Sequence, residues 1–133
     1  MPLTRISLRR GKPEAYKAAI RQGLHEAMRE TFAVPENDRF MIVKELSPEN
    51  FDYDRGYMGI ARTDDFVVIQ LTVSDTRSFE QKAALFARIV EKLAAAPGIR
   101  PEDVFINLVE VKREDWSFGH GRAQYAEADR AAR

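Results

Sequence analysis

FVVIQLTVS at residues 66–74, SFEQKAALFARIVEKLAAAPG at 78–98 and DVFINLVEV at 103–111 spell strand, helix, strand. The first string is rich in β-branched residues, which suit a pleated surface. The second opens on Ser78 as a helix N-cap with Gln81 three residues on, the spacing of a capping box. Phe79, Ala83, Phe86, Ile89, Val90 and Leu93 form its expected apolar stripe. Pro97-Gly98 ends it. The same order stands upstream. Residues 3–8 alternate apolar Ile6 and Leu8 with Arg5 and Ser7, as in a half-buried strand. Residues 14–31 carry Tyr16, Ile20, Leu24, Ala27 and Met28 on one helical stripe, with Pro13 suited to the first turn. Residues 39–46 form another strand.

The halves are one unit written twice, offset by 65 residues. Lys17-Ala18-Ala19 returns as Lys82-Ala83-Ala84, Asp38 as Asp103 and Phe40 as Phe105. Ile6, Ser7 and Leu8 match Leu71, Thr72 and Val73, and Lys12 matches Arg77. Two right-handed βαβ units give two parallel strand pairs. The expected fold is a two-layer α/β sandwich of the α+β kind, in which tandem β-α-β units form a four-stranded mixed sheet with two helices on one face. One domain is expected over 1–133, with halves at about 2–46 and 66–111. Residues 47–64 read as a loop with a short hairpin near Gly56. Residues 112–133 are a polar tail whose Ala-rich end suits a short helix.

Composition narrows the function. The chain has 21 Lys and Arg against 21 Asp and Glu and a formal net charge of zero. Nucleic acid and anionic membranes call for a basic surplus, so neither is expected as a partner. Absence of cysteine excludes thiolate nucleophiles, thiolate metal sites and disulfides, and fits a cytoplasmic protein. No signal peptide or membrane-length apolar run is legible. His25 and His120 are too few and too far apart for a metal site. His25 lies off its helix's apolar stripe and is expected at a surface or interface.

Pro2 is the first candidate for chemistry. Methionine before proline is readily removed, which would leave a secondary amine at the chain end. An α-amino group titrates near ~7.7–8.0, and burial or nearby cations lower that value. Such an amine can accept a proton from carbon, donate one as ammonium, or form an iminium. Asp38 stands just before the second strand. Parallel neighbours start at one edge of a sheet, which brings Asp38 towards Pro2. Arg77 follows the third strand, and if that strand runs antiparallel to the first, Arg77 reaches the same edge. Its planar fork suits a carboxylate. Trp116 and Phe118, with Gly119 and Gly121, come after the last strand, where aromatics can wall a pocket.

Four segments in order resemble the malonate semialdehyde decarboxylase family of the tautomerase superfamily: Pro2-Leu3, Val34 to Phe40, Thr76 to Lys82, and Asp115 to Gly119. The resemblance runs over nearly all of 2–125. It implies a β-α-β tautomerase fold, a homotrimer and no cofactor. It assigns Pro2 as catalytic amine, Asp38 as the assisting acid and Arg77 as the carboxylate-binding arginine. Trp116, Phe118 and Tyr125 match substrate-binding aromatic positions. One departure is Asp75, which stands where the well-studied decarboxylase has a second arginine.

The expected activity is therefore proton transfer by Pro2 on a small oxo-carboxylate. Keto–enol tautomerisation and decarboxylation of a 3-oxo acid need the same parts, so isomerase and lyase both stay open. A non-catalytic trimeric binding or assembly protein on the same scaffold is the alternative, and it predicts retention of Met1.

Overall fold

The computed structural model describes residues 1–133. Strand β1 spans Pro2–Arg9, helix α1 Glu14–Phe32, β2 Met41–Leu46, β3 Val67–Ser74, α2 Phe79–Ala95, β4 Val104–Val111 and α3 Gln124–Ala131. The sheet order is β2-β1-β3-β4. β1 runs parallel to β2, β3 runs parallel to β4, and the central β1–β3 pair is antiparallel. Pro2 stands opposite Val73, and Ser74 opposite Val111. The start of β1 and the ends of β3 and β4 thus share one edge region.

Alternation makes the layers. Pro2, Thr4, Ile6 and Leu8 of β1 are buried, as are Val67, Ile69, Leu71 and Val73 of β3. Ile6 and Leu8 with the four β3 residues pack against Ile20, Leu24, Ala27 and Met28 of α1 and Leu85, Ile89 and Leu93 of α2 in one apolar core. Gly23 lets the helices approach closely, since a Cβ there would stand 3.2 Å from Leu93 Cδ2 and 3.3 Å from Lys92 Cβ. The opposite sheet face carries no helix and leaves Ile42, Phe105 and Val109 exposed.

The capping box of α2 forms as the spacing predicts: Gln81 N donates to Ser78 Oγ and Ser78 N to Gln81 Oε1. Its buried stripe differs. Leu85, Ile89 and Leu93, spaced four apart, face the core, whereas Phe79 is 78% exposed and Phe86 37% exposed. The contact with α1 at Gly23 centres on Leu93 and sets this narrower stripe. The 47–64 segment holds two short 3-10 turns, Pro48–Asn50 and Tyr57–Gly59, and no hairpin. Asp103 is fully buried and fastens that segment, accepting from Thr63 N at 2.7 Å and Thr63 Oγ1 at 2.6 Å.

His25 is a correction. It is 4% exposed, not a surface residue. Chain from residue 33 onward returns over α1, and His25 Nε2 lies 2.9 Å from the Glu36 carbonyl. A carbonyl only accepts, so Nε2 carries the proton.

Candidate active site

The edge where β1 begins collects most of the residues singled out in the sequence. Asp38 is held there by backbone. Its N–H donates to the Pro35 carbonyl at 3.1 Å, closing a turn, and Thr4 N–H donates to the Phe40 carbonyl at 3.0 Å. His25 grips the same loop, and Arg39 Nη1 donates to Gln22 Oε1 at 2.9 Å. The ammonium of Met1 lies 3.8 Å from Asp38 Oδ2, an ion pair beyond hydrogen-bond length. Asp38 Oδ1 is buried with no protein partner, leaving an acceptor for a proton or a ligand.

Arg77 approaches from the loop between β3 and α2. Its Nη2 donates to the Phe32 carbonyl at 3.2 Å, and its guanidinium lies 4.8 Å from the Phe32 ring centroid. Phe32 ends α1, so Arg77 satisfies a terminal carbonyl at the negative end of the helix dipole. Burial pulls Arg77 below its ordinary value, opposed by Tyr125 and Asp38.

Burial likewise lowers the amino terminus from its ordinary value. Asp38 pulls it back up, and Arg77 and Arg113 push it down. Desolvation and two cations outweigh one carboxylate, so the neutral amine gains relative to a free chain end. Removal of Met1 would transfer these surroundings to the Pro2 nitrogen, one residue along the same strand.

The aromatic residues form a ladder beside this edge. Trp116 Nε1 donates to Ser74 Oγ at 3.1 Å. Trp116 and Phe118 stack at 5.7 Å between centroids, and Phe118 meets Tyr125 edge-on at 4.8 Å. The Arg113 guanidinium lies over Tyr125 at 4.1 Å. Gln124 pins the intervening loop, accepting from Phe118 N and donating to the Gly119 carbonyl. That loop carries His120 and Gly121 at φ of 60° and 68°, where glycine is the residue at ease.

The structure thus brings together the amino-terminal end, Asp38, Arg77 and the Trp116–Phe118–Tyr125 ladder. Ser74 and Arg113 were not singled out in the sequence. Ser74 carries no local signal; Arg113's is its place two residues beyond β4. Of the open depressions of the isolated chain, one of about 450 Å³ lies beside Glu26, Arg29, Glu30, Ala33 and Val34, and one of about 380 Å³ is bordered by Arg113 and Asp129. No group of His, Asp or Glu is arranged to hold a metal, and no helix is long and apolar enough to cross a membrane.

Comparison with known proteins agrees with this architecture. A family profile described as "Tautomerase enzyme" matches residues 38–119, and a second of that description matches residues 2–53. The chain is 39% identical over 127 residues to "Probable tautomerase YusQ" of Bacillus subtilis strain 168, covering 96% of this chain and all of that protein. It is 33% identical over 125 residues to "Probable tautomerase YrdN" of the same strain, covering 94% of this chain and 96% of that protein. A malonate semialdehyde decarboxylase crystal structure superposes with a TM-score of 0.89 at 33% identity, covering 96% of this chain and 98% of the other. FG41 malonate semialdehyde decarboxylase inhibited by 3-bromopropiolate gives the same TM-score at 35% identity, with 96% of each chain covered.

Proposed function

The chain belongs to the tautomerase family, and from that premise we propose that it is an enzyme that moves a proton on a small oxo-carboxylate with the amine of Pro2, freed by removal of Met1. The observation that carries this reading is the placement of the chain's amino-terminal end 3.8 Å from Asp38, in the field of Arg77. Arg77 takes the substrate carboxylate through its fork. Asp38 orients the amine and offers its unpartnered Oδ1 to a proton or water. Trp116, Phe118 and Tyr125 supply the apolar wall that excludes water and strengthens these charges.

Two reactions fit these parts. In enolisation of a 2-oxo acid, the neutral amine takes the proton next to the carbonyl. The C–H pair becomes the C=C bond, the carbonyl π pair moves to oxygen, and the proton returns at the other position. In decarboxylation of a 3-oxo acid, the C–C pair moves towards the carbonyl as carbon dioxide leaves, and protonated Pro2 delivers a proton to carbon. Burial and Arg77, which lower the Met1 amine, would act on a Pro2 amine at the same edge and so support the first, since a base must be neutral to act. Likeness to malonate semialdehyde decarboxylases over the whole chain supports the second.

The working unit in this reading is a homotrimer, in which the open sheet face with Ile42, Phe105 and Val109 meets neighbouring subunits. Light scattering then reads three times the 15.2 kDa chain mass. The deciding experiment compares wild type and Pro2→Ala on 2-oxo acids, by enol absorbance, and on malonate semialdehyde, by carbon dioxide release, after mass spectrometry of the chain from its native host. Loss of turnover in the variant is expected. A Pro2→Ala protein as active as wild type, or a Met1 retained in the host, would sink the proposal.

A further inference from the structure

Resting on the reading that the reacting amine lies at this edge, we infer that Arg113 is a positioning residue of the site, bracing Tyr125 and holding a second positive charge, after Arg77, where β1 begins. Strand register puts it there. Pro2 stands opposite Val73, Val73 opposite Glu110, and Ser74 opposite Val111. Asp75 N–H donates to the Val111 carbonyl at 2.9 Å. Arg113 follows two residues later, in a 3-10 turn over Arg113–Asp115 closed by Lys112 N–H donating to Asp115 Oδ2.

Its guanidinium is fixed on two sides. One face lies 4.1 Å from the Tyr125 centroid. Nε donates to Asp129 Oδ2 at 2.8 Å and Nη2 to Asp129 Oδ1 at 3.1 Å, a two-pronged pairing that holds the plane in place. Tyr125 in turn meets Phe118, so Arg113 is the outer end of the aromatic ladder.

A staple between the turn and α3 would need only the bond to Asp129. The field of Arg113 reaches further, since it is among the charges that hold the amino terminus below its ordinary value, after burial and Arg77. The charges facing the amine are Asp38 from the loop before β2, Arg77 from beyond β3 and Arg113 from beyond β4. Arg113 itself faces Tyr125 and Asp129 of α3, and Arg133 faces Asp129. Asp75, next after β3, is an acid, so the second cation at this edge comes from the far side of β4.

The test is an NMR titration of the terminal amine in protein labelled with nitrogen-15 proline, in wild type, Arg113→Gln and Arg113→Lys, with Met1 removal checked by mass. Arg113→Gln should raise the midpoint, leaving the ratio of protonated to neutral amine about threefold higher at fixed pH, the order expected for a unit charge across roughly 10 Å of partly solvated protein. Arg113→Lys keeps the charge and should titrate as wild type does, although its pairing with Asp129 is poorer. An unchanged midpoint in Arg113→Gln, or an equal shift in both variants, overturns the proposal. If Arg113→Gln does not fold, Asp129→Asn decides: removing the offsetting carboxylate should lower the midpoint, and no shift overturns the proposal. The titration reads the amine without turnover. Full activity in Pro2→Ala would therefore refute the proposed function and leave this result standing.

Discussion

Cutting the hydrogen bond between Trp116 Nε1 and Ser74 Oγ should loosen the aromatic wall from the sheet by a predictable amount. The bond is 3.1 Å long, and Ser74 is 2% exposed whereas Trp116 is only half-buried. The two single variants are therefore unequal. Trp116→Phe strands the Ser74 hydroxyl away from solvent and trims the ring, which should cost about 1–3 kcal/mol. Ser74→Ala leaves an indole N–H with partial access to water and should cost about 1 kcal/mol. With both polar groups gone nothing is left unpaired, so the double variant should lose less than the sum, with a coupling of about 1 kcal/mol. Urea unfolding followed by far-UV circular dichroism gives the four stabilities without relying on Trp emission. Each kcal/mol corresponds to a fall in Tm of about 2–6 °C for a chain of this size. Additivity within about 0.4 kcal/mol would refute the reasoning, because independent sites add that closely.

Arg77→Ala should lower kcat/KM about 100-fold, the order for losing a two-pronged charged contact of about 3 kcal/mol, with KM raised if the carboxylate is held in the ground state. Arg77→Lys should recover little of it, which steady-state kinetics on a responding oxo acid would show. His25→Leu should destabilise the fold by about 1 kcal/mol through loss of the bond that ties the Glu36 carbonyl to α1, and His25→Gln, which keeps a donor, should recover part of that in chemical denaturation. Arg113 holds the Asp129 carboxyl below the usual carboxylate range. Its contribution to docking α3 is therefore complete above the ordinary carboxylate pKa of about 3.9 and lost as pH falls through the lower folded value. Acid titration of Trp116 emission should show that loss in wild type and not in Asp129→Asn.

Strands and helices were legible because their periods are local. Alternation in 3–8, the β-branched content of 66–74 and the capping box at Ser78 each need only neighbours in the chain. The buried stripe of α2 was not, because Phe79 and Phe86, seven apart, share one side of the helix while Leu85, Ile89 and Leu93 share another, so the helix offers more than one apolar side. The choice is made by a second helix whose Gly23 admits Leu93. His25 was misread for the same reason: helical phase places it beside the stripe, and only the returning chain with Glu36 covers it. At the site, parallel pairing brings Asp38 towards Pro2, and the antiparallel β1–β3 pairing, on which the placement of Arg77 was conditional, brings Arg77 to the same edge. Arg113 was not legible, since its partners Tyr125 and Asp129 lie 12 and 16 residues ahead in a tail whose folding back no local pattern announces.

The doubled architecture also makes the two copies chemically unequal. Shifted by 65 residues, Pro2 corresponds to Val67, Asp38 to Asp103, and Arg77 to Lys12. Val67 is an interior peptide unit, so this copy cannot present a chain-end amine at all. The positions that correspond to Asp38 and Arg77 act here as fasteners: Asp103 ties down Thr63, and Lys12 pairs with Asp65 at 2.6 Å over the Tyr16 ring. A chain that carries the unit twice thus has only one end that can offer an amine, and the mate of that end serves as a buckle for the long loop between the copies. Substitution at Asp103 or Lys12 should therefore read out in stability, whereas in the proposed function substitution at Pro2, Asp38 or Arg77 reads out in turnover.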